Sequence, residues 1–284
     1  MAFAWAGVAR QDAWQGRVHR SKRSGALRNN KWFVVPSPRQ DPALRLVCFP
    51  YAGGAAATYI PWNACLPEDV ELVCVQPPGR ASRITEVPHR DMVSLVNDLS
   101  AAFREVADRP YVLFGHSLGS RVAYELARRY RGQCSPSLLI ASGSAAPHYP
   151  RMRTAIHDLP DAAFVERLRE LNGTPREVLD NEELIGFLIP LLRADFQIAD
   201  HRCEAERLDC PITVLWGTED PEVNKEAVQG WREVSGDPCD IHQIQGDHFF
   251  LERNRPAVLE KVCEALHLLM ARKGAGAPAS GICP

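Results

Sequence analysis

From Leu44 onward the sequence alternates short apolar runs with longer stretches of helical spacing, and that alternation leaves few folds open. The apolar runs cover residues 44–49, 70–75, 111–114, 137–141, 212–216 and 241–244, and patterns such as 92–106 and 249–270 lie between them. Short, mostly apolar runs of this kind read as strands buried on both faces, which is the signature of a parallel sheet covered by helices. The order strand, helix, strand, helix predicts an α/β fold, a doubly wound and mainly parallel sheet. In such a fold the ligand sits at the carboxyl ends of the strands.

One of those strand ends carries chemistry. Residues 111–119 read Tyr-Val-Leu-Phe-Gly-His-Ser-Leu-Gly, and Val122, Ala123, Leu126 and Ala127 then recur at helical spacing. Strand, tight turn and helix with a serine at the apex is the nucleophile elbow of α/β-hydrolases, where the turn is too sharp for bulk two residues before and after the serine. Gly115 and Gly119 meet that demand. A pattern fixing three positions arises by chance in roughly one chain in ten of this length, so the motif needs a base and an acid elsewhere to carry weight.

Both are available in the right order. The run 212–216 ends in Gly217, Thr218, Glu219 and Asp220, and the run 241–244 is followed by Gly246, Asp247 and His248. Ser117, Asp220 and His248 therefore follow the α/β-hydrolase order of nucleophile, acid and base, each at a strand end. Asp195 and Asp200 are reserve acids, and Asp247 is too close to His248 to orient its ring. His116 is expected to point away from the serine hydroxyl. An oxyanion hole needs the N–H of Leu118, after the nucleophile, and a second N–H from the loop Phe49-Pro50-Tyr51-Ala52-Gly53-Gly54, supplied by Ala52 or Tyr51.

Between residues 150 and 208 the alternation stops. No strand candidate appears, but helical patterns run over 161–171 and 182–196, with Asp161 as the expected cap of the first and Asn172-Gly173 as its stop. An all-helical insertion between two strands forms a lid over the strand ends. The second pattern is unusually apolar and is expected to line an acyl-sized pocket through Phe187, Leu188, Leu191, Leu192 and Phe196. Packing onto the domain without lining a pocket is the alternative.

With 284 residues, 45% of them hydrophobic, the chain can bury the core of one large domain, here 32–271. A net charge of −2 gives no general attraction to nucleic acid or to an anionic membrane, and neither is an expected partner. No apolar stretch approaches the roughly eighteen residues of a membrane span. The nine cysteines are scattered without a C-x-x-C pair or zinc spacing, which fits reduced thiols in a cytoplasmic protein and no metal site. Residues 1–31 hold seven basic side chains against the single acid Asp12 and read as a disordered basic extension. The tail 272–284 reads as flexible.

These motifs together resemble a known family. Trp32-Phe33, the segments 48–54 (Cys-Phe-Pro-Tyr-Ala-Gly-Gly), 75–80 (Val-Gln-Pro-Pro-Gly-Arg), 115–119, 190–196 (Pro-Leu-Leu-Arg-Ala-Asp-Phe) and 246–250 (Gly-Asp-His-Phe-Phe) are similar, in order, to those of type II thioesterases. The resemblance implies an α/β-hydrolase that frees acyl groups from the phosphopantetheine arm of acyl or peptidyl carrier proteins, as a monomer and without a cofactor of its own. It implies Ser117, Asp220 and His248 as catalytic residues and Ala52 with Leu118 as oxyanion donors. It assigns Arg193 and Asp195 to lid and pocket, beside the Phe187 and Leu191 that the apolar helix places there. Asp247 stands where the family has glycine, and the basic leader has no family counterpart.

Overall fold

The computed structural model describes Leu27 and residues 30–149, 154–236 and 238–274. Most of the expected basic extension and flexible tail, and the first residues of the lid, lie outside the described residues. At the amino end, Leu27 is buried in the main core and Lys31 pairs with Glu86, so the domain begins before Trp32.

The six apolar runs and one further short strand form a seven-stranded sheet: β1 (Phe33–Val34), β2 (Leu44–Phe49), β3 (Val70–Val75), β4 (Tyr111–His116), β5 (Leu138–Ser142), β6 (Ile212–Gly217) and β7 (Cys239–Ile244). Their order is β1-β3-β2-β4-β5-β6-β7, and every pairing is parallel except that of β1 with β3. The antiparallel β1 escapes the sequence reading because two residues carry no period.

The helices are α1 (Met92–Phe103), α2 (Leu118–Arg129), α3 (Asp161–Leu171), α4 (Arg176–Leu179), α5 (Glu182–Ala199), α6 (Lys225–Gln229), α7 (Trp231–Val234), α8 (Phe250–Arg253) and α9 (Arg255–Gly274). Alternate strand residues feed opposite faces. Val47, Phe49, Leu113 and Val214 join α1, α2 and Trp231 in one core. Leu46, Cys48, Phe114 and Leu215 join Tyr59, Trp62 and the apolar side of α9 in the other. Burying each such side chain on both faces contributes about 2 kcal/mol, which is why the strands read as predominantly apolar runs. The single pattern over 249–270 is two helices, because Asn254 leaves helical geometry between α8 and α9.

Connections change direction at β2: the chain moves outward to β3, then returns to place β4 on the other side of β2. Phe49 pairs with Gly115 there, so the loop after β2 and the turn after β4 leave the sheet side by side. This switch point is where an open α/β sheet offers its crevice.

The insertion is a separate helical cluster in which Phe164, Leu168, Leu179, Ile185 and Leu192 pack together. Asp161 does not cap α3. Pro160 occupies the cap position without a side-chain bond, and Asp161 in the first turn pairs with Arg193 at 2.7 Å. Asn172 ends α3 in the left-handed region at φ 57°, which asparagine tolerates. Gly173 then admits the Phe249 ring, whose Cζ would lie 2.0 Å from any added Cβ.

Candidate active site

Ser117 sits between β4 and α2 at φ 53° and ψ −114°. Its N–H donates to the Ser142 carbonyl at 2.8 Å, which pins the turn to the next strand. A Cβ on Gly115 would lie 2.2 Å from the Gly119 oxygen, and one on Gly119 would lie 2.1 Å from the Phe49 oxygen. Both glycines are there because backbone fills the space, on the inner side of the turn and against β2.

The turn after β6 and the loop after β7 bring in the other two residues. His248 Nε2 lies 3.0 Å from Ser117 Oγ, and His248 Nδ1 lies 2.8 Å from Asp220 Oδ2. A carboxylate only accepts, so Nδ1 carries the proton and Nε2 is left to accept from the serine hydroxyl. The Asp220 side chain is fully enclosed, and its other oxygen accepts the Glu222 N–H at 2.9 Å. A hydroxyl facing an imidazole that is oriented from behind by a carboxylate can be deprotonated as it attacks a carbonyl.

The competing carboxylates are engaged elsewhere. Asp247 accepts the Phe249 N–H at 3.0 Å and pairs with Arg253. Asp200 meets His157 Nδ1 at 2.8 Å. Asp195, buried on α5, takes both arms of Arg80 at 2.7 Å and the Gly53 N–H at 2.7 Å. Arg80 was legible only as part of the 75–80 segment, with nothing to indicate its partner 115 residues away.

In the loop after β2, Gly53 N–H is thus spent on Asp195 and Gly54 N–H donates to Tyr51 O at 2.9 Å. Among the described residues no protein acceptor is bonded to the Ala52 or Leu118 N–H. Ala52 lines the same cavity as Ser117 and His248. That cavity measures about 900 Å³ with its mouth included, and the lid closes it with Leu168, Leu171, Leu192 and Phe196.

The pocket wall matches the expected one in part: Leu192 and Phe196 line it, whereas Phe187, Leu188 and Leu191 are not among its lining residues. Leu192, Phe196 and Ala199 form the stripe of α5 that faces the cavity, while Leu191 is turned toward Gly79 and Phe187 is 64% exposed. The stripe through 187 and 191 is rotated by one residue from the lining stripe, and in the first half of α5 Ile185 packs into the lid cluster. Arg193 is internal to the lid, stacked over Phe164 at 4.5 Å and bonded to Leu159 O at 2.6 Å. Two lining residues that sequence reasoning missed are Arg121, one helical turn past the serine, and Glu222, two residues past Asp220. Among the described residues no helix is long and apolar enough to cross a membrane.

Comparison with known proteins agrees with this architecture. A family model described as a thioesterase domain matches residues 44–267. The gramicidin S biosynthesis protein GrsT of Aneurinibacillus migulanus is 36% identical over 86% of this chain and 97% of its own. Thioesterase PikA5 of Streptomyces venezuelae is 34% identical over 87% of this chain and 88% of its own. Among solved structures, the type II thioesterase BorB from the borrelidin biosynthetic cluster superposes with a TM-score of 0.74 at 34% identity, covering 83% of this chain and 97% of BorB. A nucleophile elbow under a helical lid, matched along most of the sequence by these relatives, places the chain in the thioesterase family, among the type II thioesterases.

Proposed function

We propose that the chain hydrolyses acyl thioesters carried on the phosphopantetheine arm of acyl or peptidyl carrier proteins, clearing stalled or wrongly primed units from a synthase. The observation that carries this reading is the 3.0 Å approach of Ser117 Oγ to His248 Nε2 at the wall of a lidded, largely apolar cavity. GrsT and BorB, both tied by name to biosynthetic assembly, support the choice of substrate.

In this reading Ser117 attacks the thioester carbonyl as His248 takes its proton, with Asp220 holding the ring and stabilising the imidazolium. The tetrahedral oxyanion is met by the N–H groups of Ala52 and Leu118. Collapse expels the pantetheine thiolate, which takes the proton from His248, and leaves an acyl-serine. A water deprotonated by the same histidine attacks that ester, and the free acid departs as Ser117 regains its proton. The scheme needs no metal or cofactor beyond the phosphopantetheine that the substrate carries.

The test is incubation with a carrier protein loaded with a radiolabelled acyl group, beside an unloaded second carrier. Release of free acid supports hydrolysis. Label appearing on the second carrier would make the protein an acyltransferase using the same serine.

A further inference from the structure

His116 adjoins the nucleophile in sequence, yet its ring is wholly buried and faces the loop that carries His248. Its Nε2 lies 2.9 Å from the His248 backbone carbonyl and its Nδ1 lies 2.9 Å from Ser142 Oγ. A carbonyl only accepts, so Nε2 holds the proton and Nδ1 accepts from the Ser142 hydroxyl. The ring stands edge-on to Tyr51 and Phe250, with centroids at 6.0 and 5.2 Å. It also lies against Gly143, where an added Cβ would come 2.6 Å from His116 Cε1. Packing on every side leaves it one orientation, with both nitrogens satisfied.

We propose that His116 is a positioning residue for the base: its Nε2–H anchors the His248 carbonyl and so sets where the His248 ring meets Ser117. This rests on His248 acting as the base. The bond from Nδ1 to Asp220 fixes one corner of the imidazole, but a ring held at one corner still pivots with its backbone. A second anchor on the peptide itself removes that freedom. The other anchors of the loop lie on its preceding peptides, with Gly246 O accepting the Glu219 N–H at 2.9 Å and Asp247 O the Phe250 N–H at 3.1 Å, so the His248 carbonyl itself is held by His116. A displacement of about 1 Å in a reacting group costs on the order of 100-fold in rate. Burial, and then the nearness of His248, push the His116 pKa down to about 3, so His116 stays neutral while His248 takes up its proton.

Two amide variants separate the roles of the two nitrogens. His116→Gln puts an N–H near the position of Nε2 and keeps the bond to the His248 carbonyl. His116→Asn reaches only the Ser142 side. The readouts are kcat and KM on an acyl carrier substrate and the second-order rate of fluorophosphonate labelling, each scaled to the folded fraction seen by near-UV circular dichroism. His116→Asn is expected to lower kcat and the labelling rate by about 10- to 100-fold with KM within about twofold. His116→Gln is expected to stay within about fivefold of the parent. Equal rates for the two variants, or a kcat within about twofold of the parent for both, would overturn the proposal. Should His116→Asn not fold, Ser142→Ala reads the same link, since it removes the donor that fixes the ring. It is expected to lower kcat about threefold or more at constant KM, and an unchanged kcat overturns the proposal. His248→Ala is run alongside: if it retains hydrolysis, the base assignment itself is wrong, whereas if it is inactive and the amide variants match, only the positioning role fails.

Discussion

Asp195 on the lid helix accepts the backbone N–H of Gly53 at 2.7 Å, so the lid and the loop after β2 are tied at one carboxylate. The same carboxylate grips Arg80 through two parallel bonds, and both side chains are almost fully enclosed. The 75–80 and 190–196 segments, far apart in sequence, therefore serve one purpose: they hold the stretch next to Ala52 in place.

Removing that carboxylate leaves a buried guanidinium without its counter-charge. Asp195→Ala is expected to lose about 3–5 kcal/mol of stability in urea unfolding. Asp195→Asn keeps an acceptor for Gly53 and is expected to lose less. A loss below about 1 kcal/mol for the alanine variant would mean that the ion pair does not hold the lid to the loop.

Ser117→Ala is expected to reduce hydrolysis of an acyl carrier substrate by about 10³-fold or more, with the fold and carrier binding unchanged. Fluorophosphonate labelling should vanish with it. Persistent labelling in the alanine variant would place the nucleophile elsewhere.

The acid assignment is tested by a pair of isosteric changes. Asp220→Asn is expected to lower kcat by about 10³- to 10⁴-fold with little change in KM, because the amide no longer orients the His248 ring. Asp200→Asn, which touches His157 instead, is expected to stay within a few-fold of the parent. The reverse pattern would move the acid to Asp200.

Buried His116 also gives stability a pH dependence. Its folded pKa is depressed to about 3, below the ordinary value of about 6.5 that it regains on unfolding. Between these values the unfolded chain binds the extra proton, so this contribution is full above pH 6.5 and is lost as pH falls toward 3. From pH 7 to pH 5 the loss is about 2 kcal/mol. Denaturant unfolding at both pH values, compared with His116→Gln, reads the difference directly. An identical pH slope in the two proteins would show that the ring is not held neutral.

Phe187 is exposed on the outer stretch of α5, whereas Phe196 lines the cavity. Phe187→Ser is expected to change stability by no more than about 0.5 kcal/mol and to leave kcat/KM unchanged. Phe196→Ala is expected to alter the preference for acyl length in a panel from acetyl to decanoyl. A shift in acyl preference caused by Phe187→Ser would return that residue to the pocket wall.

Much of this was legible in the sequence for a physical reason. Strands buried on both faces are mostly apolar, with the buried Arg45 and Glu71 paired to each other, and an elbow too tight for a Cβ must have glycine at 115 and 119, so composition reports geometry directly. Strand ends then locate Ser117, Asp220 and His248 without any knowledge of distance. What escaped depends on partners brought together only by folding. Nothing local to Arg80 points to Asp195, and nothing local to His116 points to the peptide of His248. The lining face of α5 was legible only in part, at Leu192 and Phe196 but not at Phe187 or Leu191, because an apolar helix announces that it is buried somewhere but not which stripe meets the cavity. Asp161 looked like a cap by type and position, but Arg193 holds its carboxylate instead.

The backbone of Ser117, at φ 53° and ψ −114°, lies where side chains other than glycine rarely rest, at a cost of about 1–3 kcal/mol. Within the turn, the Ser120 hydroxyl bonded to Gly115 O at 2.7 Å offsets part of that cost. The rest comes from the bond to Ser142, the contact of Gly119 with β2 and the strand pairings on either side. The exposure of the serine hydroxyl is therefore a property of the assembled sheet: a peptide spanning 111–124 would relax and withdraw it. The reactive conformation persists only while its neighbouring strands remain paired, so loosening the sheet should silence the serine before the chain as a whole comes apart.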